Sequence, residues 1–248
     1  MTKRFLPFLF LLSILTIVYA SCKKDSENGR LYPEVTRGYF PLQLGRYVVY
    51  DVDSVIWDDV DCTRKERHLN MRYTVVDTFT DKSGRPSFRI DVIKRVADTG
   101  AWRVSAVIYA TPTANGIDVI MNNRSMEKLI FPVSEGATWF GNRAIDTNEV
   151  ANKPYGNWLY QYVNFLKPYN NGRLNFDNTI TVRHIADSVG SPDLMPGAYA
   201  EKTYSREVYG YDVGMIYQEF TRWTYDPSDP VRACRKGFSV VMRATDHN

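Results

Sequence analysis

Three histidines, a short run of carboxylates and three cysteines are the residues of this chain most suited to chemistry, and their spacing excludes most of it. His68, His184 and His247 are far apart, with no HExxH, so a zinc-protease helix is not encoded. Neither a G-x-S-x-G elbow, a P-loop nor a dinucleotide fingerprint occurs. A lone histidine in a strand-rich chain is expected on the surface or satisfied in place. Asp58, Asp59 and Asp61 stand beside Cys62 and offer oxygens of the kind calcium takes six to eight of. The D-x-D-x-D-G loop is missing, however, and a solvated turn accounts for the run equally well. Trp57 next to these acids also suits sugar hydrolysis, but nothing identifies the second carboxylate that reaction needs. Asp246 and His247 are adjacent, and neighbours on a strand face opposite ways, so they cannot form an Asp-His dyad. No catalytic residue, metal site or cofactor is expected.

The cysteines suggest an exported protein. Cys62 and Cys234 are the two that remain if Cys22 is modified, and they allow one pairing. An oxidising compartment permits that disulfide, although two separate thiols are the alternative. Closing so long a loop would contribute on the order of 4 to 5 kcal/mol in the chain-entropy model. No CxxC or histidine spacing accompanies them, which disfavours metal binding.

The elements that would position these residues are strands. YVVYDVDSVIW alternates, with Val48, Tyr50, Val52 and Ile56 on one face and Asp51 and Asp53 on the other. NMRYTVVDTFT and SFRIDVIKRV flank the turn DKSGRP and form a hairpin. WRVSAVIYA, IDVIMNN, MEKLIFPV, TITVRHI and GFSVVMRATD extend the meander. Residues 158–166, WLYQYVNFL, fit a strand or one to two helical turns. Residues 198–206 fit a strand or a short helix, and IADSVGSPDLMPG a loop. With no helical pattern long enough for α/β units, ten or more antiparallel strands in one domain are predicted. The all-β class follows, as a single curved sheet, a sandwich or an open barrel.

The ends of the chain set where this domain sits. Lys3 and Arg4, then an apolar run to Ala20, make residues 1–21 a signal peptide; Pro7 and the short length argue against a membrane anchor. Tyr19-Ala20-Ser21-Cys22 resembles a bacterial lipobox with Tyr19 in place of the usual aliphatic residue, making Cys22 the expected lipidation site. An ordinary cleavage near Ala20 or Ser21 is the alternative. Residues 22–37 then form a flexible tether, with KKDSENGR either a plain linker or a charged export tag, and residues 38–248 form the domain. Loss of Lys3 and Arg4 lowers the net charge from +3 to +1. No basic cluster or RNP-like motif remains to recruit nucleic acid.

Two corners echo each other. Phe40-Pro41-Leu42-x-x-Gly45 and Phe131-Pro132-Val133-x-x-Gly136 each lead into aromatic, extended sequence. Proline cannot donate to a ladder and suits a strand start, and glycine suits a bend with positive φ. Pro41, Gly45, Pro132 and Gly136 are therefore read as structural turns that open two strands, with an internal duplication as the alternative.

The segments YFPLQLGRYVVYDVDSV, FPVSEGATWFGN, VYGYDVGMIYQEF and GFSVVMRATDHN resemble uncharacterised lipoproteins of Bacteroidota. The resemblance implies an exported, lipid-anchored β-rich protein of the outer membrane, facing the periplasm or the cell surface, and implies no activity. The expected role is non-enzymatic binding or assembly, with an envelope protein or glycan as partner. The alternatives are a carrier of an apolar ligand in a barrel cavity, and an enzyme whose site converges only in three dimensions.

Overall fold

The computed structural model describes residues 38–96, 100–228 and 233–248. The signal peptide, Cys22 and the tether expected from the sequence lie outside the described residues. Twelve strands follow one another along the chain. They are β1 Tyr47–Trp57, β2 Arg64–Thr80, β3 Pro86–Arg95, β4 Arg103–Pro112, β5 Gly116–Met121, β6 Arg124–Ile130, β7 Thr138–Phe140, β8 Leu159–Asn170, β9 Asn175–Val189, β10 Ala200–Gly210, β11 Gly214–Tyr225 and β12 Arg235–His247. All pair antiparallel in one sheet, ordered β6-β5-β4-β3-β2-β1-β12-β11-β10-β9-β8-β7. Each strand therefore lies beside its chain neighbour, and β1 pairs with β12 to join the two meanders.

This all-β sheet curls nearly into a barrel. Its two edges, β6 and β7, meet along a seam with few bonds. The Glu127 amide donates to the Gly141 carbonyl at 2.8 Å. The Trp139 indole donates to the Glu127 carbonyl at 2.8 Å. The Tyr162 hydroxyl accepts from the Ile130 amide and donates to its carbonyl. Closure matters because exposed edges are templates for unwanted pairing.

The predicted corners sit at the head of β1 and of β7, on the same rim. Gly45 has φ +85° and Gly136 φ +81°, with open space where a Cβ would be. The Gly45 amide donates to the Val75 carbonyl, and the Val75 amide donates to Arg46. The Gly136 amide donates to the Tyr162 carbonyl, and the Tyr162 amide donates to Ala137. Each corner thus ties the start of its strand to the next strand through the same bond pattern. The Phe131-Pro132 bond is cis. Tyr39 is buried, its ring edge-on to Tyr211, and Phe40 packs near Tyr209, so the segment before β1 closes this rim, here termed the upper one.

At the opposite end the strands differ in length. β1, β2 and β9 to β12 run on past the short seam strands as a curved wall. Cys62, in the β1–β2 turn, is bonded to Cys234 just before β12. Residues 185–189 continue β9 rather than forming the expected loop, and of the two readings open for residues 198–206 the strand holds, from Ala200. Ala186 to Val189 are exposed, because both faces of this wall are wet, and so they lack the apolar alternation that marks a strand. Residues 159–166 belong to β8, but Asn164 and Leu166 have positive φ, which breaks the period-two pattern there. Beyond this kink the tip of the β8–β9 hairpin lies against β11 and β12. The buried Asn171 amide donates to the carbonyls of Ile216 at 3.0 Å and Ala244 at 2.9 Å, and Arg173 pairs with Asp51.

Candidate functional site

Inward-facing side chains do not fill the lumen. A chamber of about 120 Å³ lies toward the upper rim and one of about 430 Å³ toward the lower opening. Tyr73, Met121, Lys128, Glu207 and Gln218 line both and form the waist between them.

The waist is built from charged residues in the inward phase of strands. On β10, Ser205, Glu207 and Tyr209 alternate inward, and all three are buried. Facing them across the lumen, β6 places Lys128 in phase with buried Met126. Lys128 Nζ lies 2.6 Å from Glu207 Oε1, and both side chains are at most 10% exposed. Glu207 also accepts from the Tyr209 hydroxyl at 2.5 Å and from Gln218 Nε2 at 3.2 Å. Burial alone pushes the Glu207 carboxyl up, but the pull of the Lys128 ammonium holds the group below the usual carboxylate range. The nearby carboxylate and burial together raise the Tyr209 phenol well above its ordinary value.

His184 lies at an irregularity of β9. Ser205 pairs with Ile185 and Arg206 with Arg183, so His184 is the extra residue of a bulge. Plain alternation already turns His184 to the lumen with Ile180 and Val182, and the bulge then sets Ile185 opposite inward-facing Ser205. Its ring stacks on Tyr160 with centroids 4.1 Å apart. Nδ1 is 2.9 Å from Ser205 Oγ. Nε2 is 3.4 Å from Glu207 Oε2, without hydrogen-bond alignment, and has no hydrogen-bond partner. Burial pushes the imidazole pKa down against the pull of Glu207, which favours the neutral ring.

Below this cluster the large chamber is mainly apolar. Val52, Leu69, Met71, Val240 and Met242 form one wall, and Met121 and Met126 face it from the seam side. The methionines give the cavity an adaptable lining. Toward the opening, Trp158 packs 5.7 Å from Phe220, and the Arg124 guanidinium lies 4.5 Å over the Tyr155 ring. Asn122 and Asn123, both at positive φ, make the tight β5–β6 turn at this opening.

No family model matches the chain, and no curated protein matches it. Among solved structures it is similar to a protein assigned as exported, with a YmcC-like fold, from Bacteroides fragilis NCTC 9343. That match has 12% identity and a TM-score of 0.40, covering 84% of this chain and 98% of that one. It is also similar to a protein assigned as a lipoprotein from Parabacteroides distasonis ATCC 8503. There the identity is 14% and the TM-score 0.41, over 85% of this chain and 98% of that one.

Apart from His184, the histidines, acids and cysteines of the described residues that the sequence singles out lie away from the large chamber. Asp58 and Asp61 pair with Lys65, and Asp59 with Lys236, in an exposed turn beside the disulfide. Among the described residues no cluster of acids, histidines and cysteines is arranged to hold a metal. His68 lies on the outer face against Asp53. His247 packs near the Phe176 ring, while Asp246 accepts from the Tyr47 hydroxyl. Only His184 enters the lumen, where it is neither at the surface nor fully satisfied, contrary to expectation. Lys128, Glu207, Ser205 and Gln218 carried no motif. Their one legible sign is polar or charged chemistry in the inward phase of strands otherwise apolar at those positions.

Proposed function

We propose that the protein is a lipid-anchored envelope protein that holds an apolar small molecule in its barrel lumen. The observation that carries this reading is the chamber of about 430 Å³, mainly lined by methionine, aliphatic and aromatic side chains, with Arg124 toward its opening and a charge-balanced waist above. Its size falls within the range of small-molecule pockets, roughly 300 to 1,000 Å³. Export and anchoring are supported by the basic start, the apolar run and the Ala20-Ser21-Cys22 sequence. A multiply acylated Cys22 would anchor stably, at about 0.8 kcal/mol per buried methylene. The tether of residues 22–37 would then leave the barrel free above the membrane surface, on whichever side of the outer membrane it faces.

Holding fits the cluster better than turnover. Ser205, His184 and Glu207 follow one another in space, but a triad acid must stabilise an imidazolium. Here Ser205 faces Nδ1, Glu207 stands 3.4 Å from Nε2 without hydrogen-bond alignment, and Lys128 already balances the Glu207 charge. In cells expressing the full chain, the wild type should fractionate with membranes and Cys22→Ser should be soluble. Native mass spectrometry of the purified wild type should show an apolar adduct that organic extraction removes. A Cys22→Ser chain that stays on the membrane would defeat the anchor. A wild type without any adduct, and unable to take up a hydrocarbon probe, would defeat the carrier.

A further inference from the structure

From the geometry of the waist we infer that the chamber selects a ligand with an uncharged hydroxyl head, seated at His184 Nε2, over a carboxylate or an ammonium of the same chain length. This rests on the carrier reading and adds the chemistry of the head group. Three observations converge on it. His184 is 2% exposed and lines the chamber, and its Nε2 is a buried polar atom without a hydrogen-bond partner. Such an atom costs free energy until something bonds it. Nδ1 already faces Ser205, so Nε2 is the ring atom left to a guest.

The charges nearby decide what kind of head can reach it. Lys128 and Glu207 form a close pair, so the waist is neutral overall. An incoming carboxylate would set a second anion beside Glu207, whose oxygen is 3.4 Å from Nε2, in an apolar cavity where charge is costly. An ammonium would meet Lys128 and find Glu207 already accepting from Lys128, Tyr209 and Gln218. A hydroxyl both donates and accepts, so it satisfies Nε2 in either ring tautomer and brings no charge. The methionine and aliphatic walls below accommodate the attached chain, and the aromatic opening gives it a path out.

Calorimetric titration of the purified full chain with decane, decanol, decanoate and decylammonium tests this. Decanol is expected to bind about ten-fold more tightly than decane, the gain one buried hydrogen bond supplies, and more tightly than either charged analogue, whose head would have to be desolvated. In His184→Phe, which keeps the stack on Tyr160, decanol is expected to lose that advantage over decane. Equal binding of all four, or tighter binding of decanoate, would overturn the hydroxyl assignment while leaving the carrier intact. A decanol preference that survives His184→Phe would overturn the role of His184 and leave its Nε2 to an ordered water only. If none of the four binds, the carrier reading itself fails. Should His184→Phe not fold, the ranking in the wild type still decides the head-group class.

Discussion

Both halves of the barrel start from the same corner, Phe-Pro followed four residues after the proline by a glycine at φ near +80°, and they then diverge. β1 goes on for 11 residues with partners on both sides, whereas β7 stops after 3 and forms a sheet edge. The first half lines the lumen with Val52, Leu69, Met71 and other apolar groups, but contributes Lys128 from its last strand. The second half supplies His184, Ser205, Glu207 and Gln218, and folds a hairpin tip over its own outer face. The corner sets how a strand begins. What the strand then packs against sets its length and its chemistry. Besides the β1–β12 ladder, the seam and the surface ion pairs, a covalent and a buried charged link join the halves: the Cys62–Cys234 bond at the wall and the Lys128–Glu207 pair at the waist.

Cutting the covalent link should have the largest effect. Paired Cys62→Ser and Cys234→Ser substitutions are expected to lower unfolding stability by about 4 to 5 kcal/mol, from the loop entropy of a 172-residue separation. Urea melts of the variant and of the reduced wild type should agree. A loss below about 1 kcal/mol would mean that the non-covalent contacts between the halves suffice without the disulfide.

Breaking the charged link comes next. Lys128→Met leaves Glu207 buried without its cation and should cost about 3 to 5 kcal/mol, whereas Lys128→Met with Glu207→Leu should recover most of that loss. Acid probes the same cluster. His184 has a lowered folded pKa, so wild-type stability should begin to fall as pH drops below the unfolded value of 6.5. Glu207 is also lowered, so a further loss should begin below 4.5. Melts across that range would show a flat profile if the pair were not buried and coupled.

The corners themselves give the smallest change and the closest test of equivalence. Gly45→Val and Gly136→Val should each destabilise by roughly 1 to 2 kcal/mol, because a β-branched side chain is strained at positive φ while nothing nearby would clash with its Cβ. Equal losses in thermal or urea melts would support one local device used twice. A loss at Gly45 with none at Gly136 would show that only the central strand depends on its corner.

The amino-acid sequence by itself determined the all-β class, the antiparallel hairpins and most strand positions. Period-two alternation and turn residues are local signals, and they are strong where one strand face is buried and the other wet. They fade over residues 185–189, wet on both faces, and at the Asn164–Leu166 kink. The corner sequences and the lone pairing open to Cys62 and Cys234 were legible for the same local reason. Only the tertiary structure decided that the sheet curls until β6 meets β7, because closure depends on the summed twist and register of twelve strands. It alone brought Lys128 to Glu207, 79 positions apart, and set Glu207 beside His184. An inward charge is visible in a strand, but its partner lies across a lumen whose width no local pattern records.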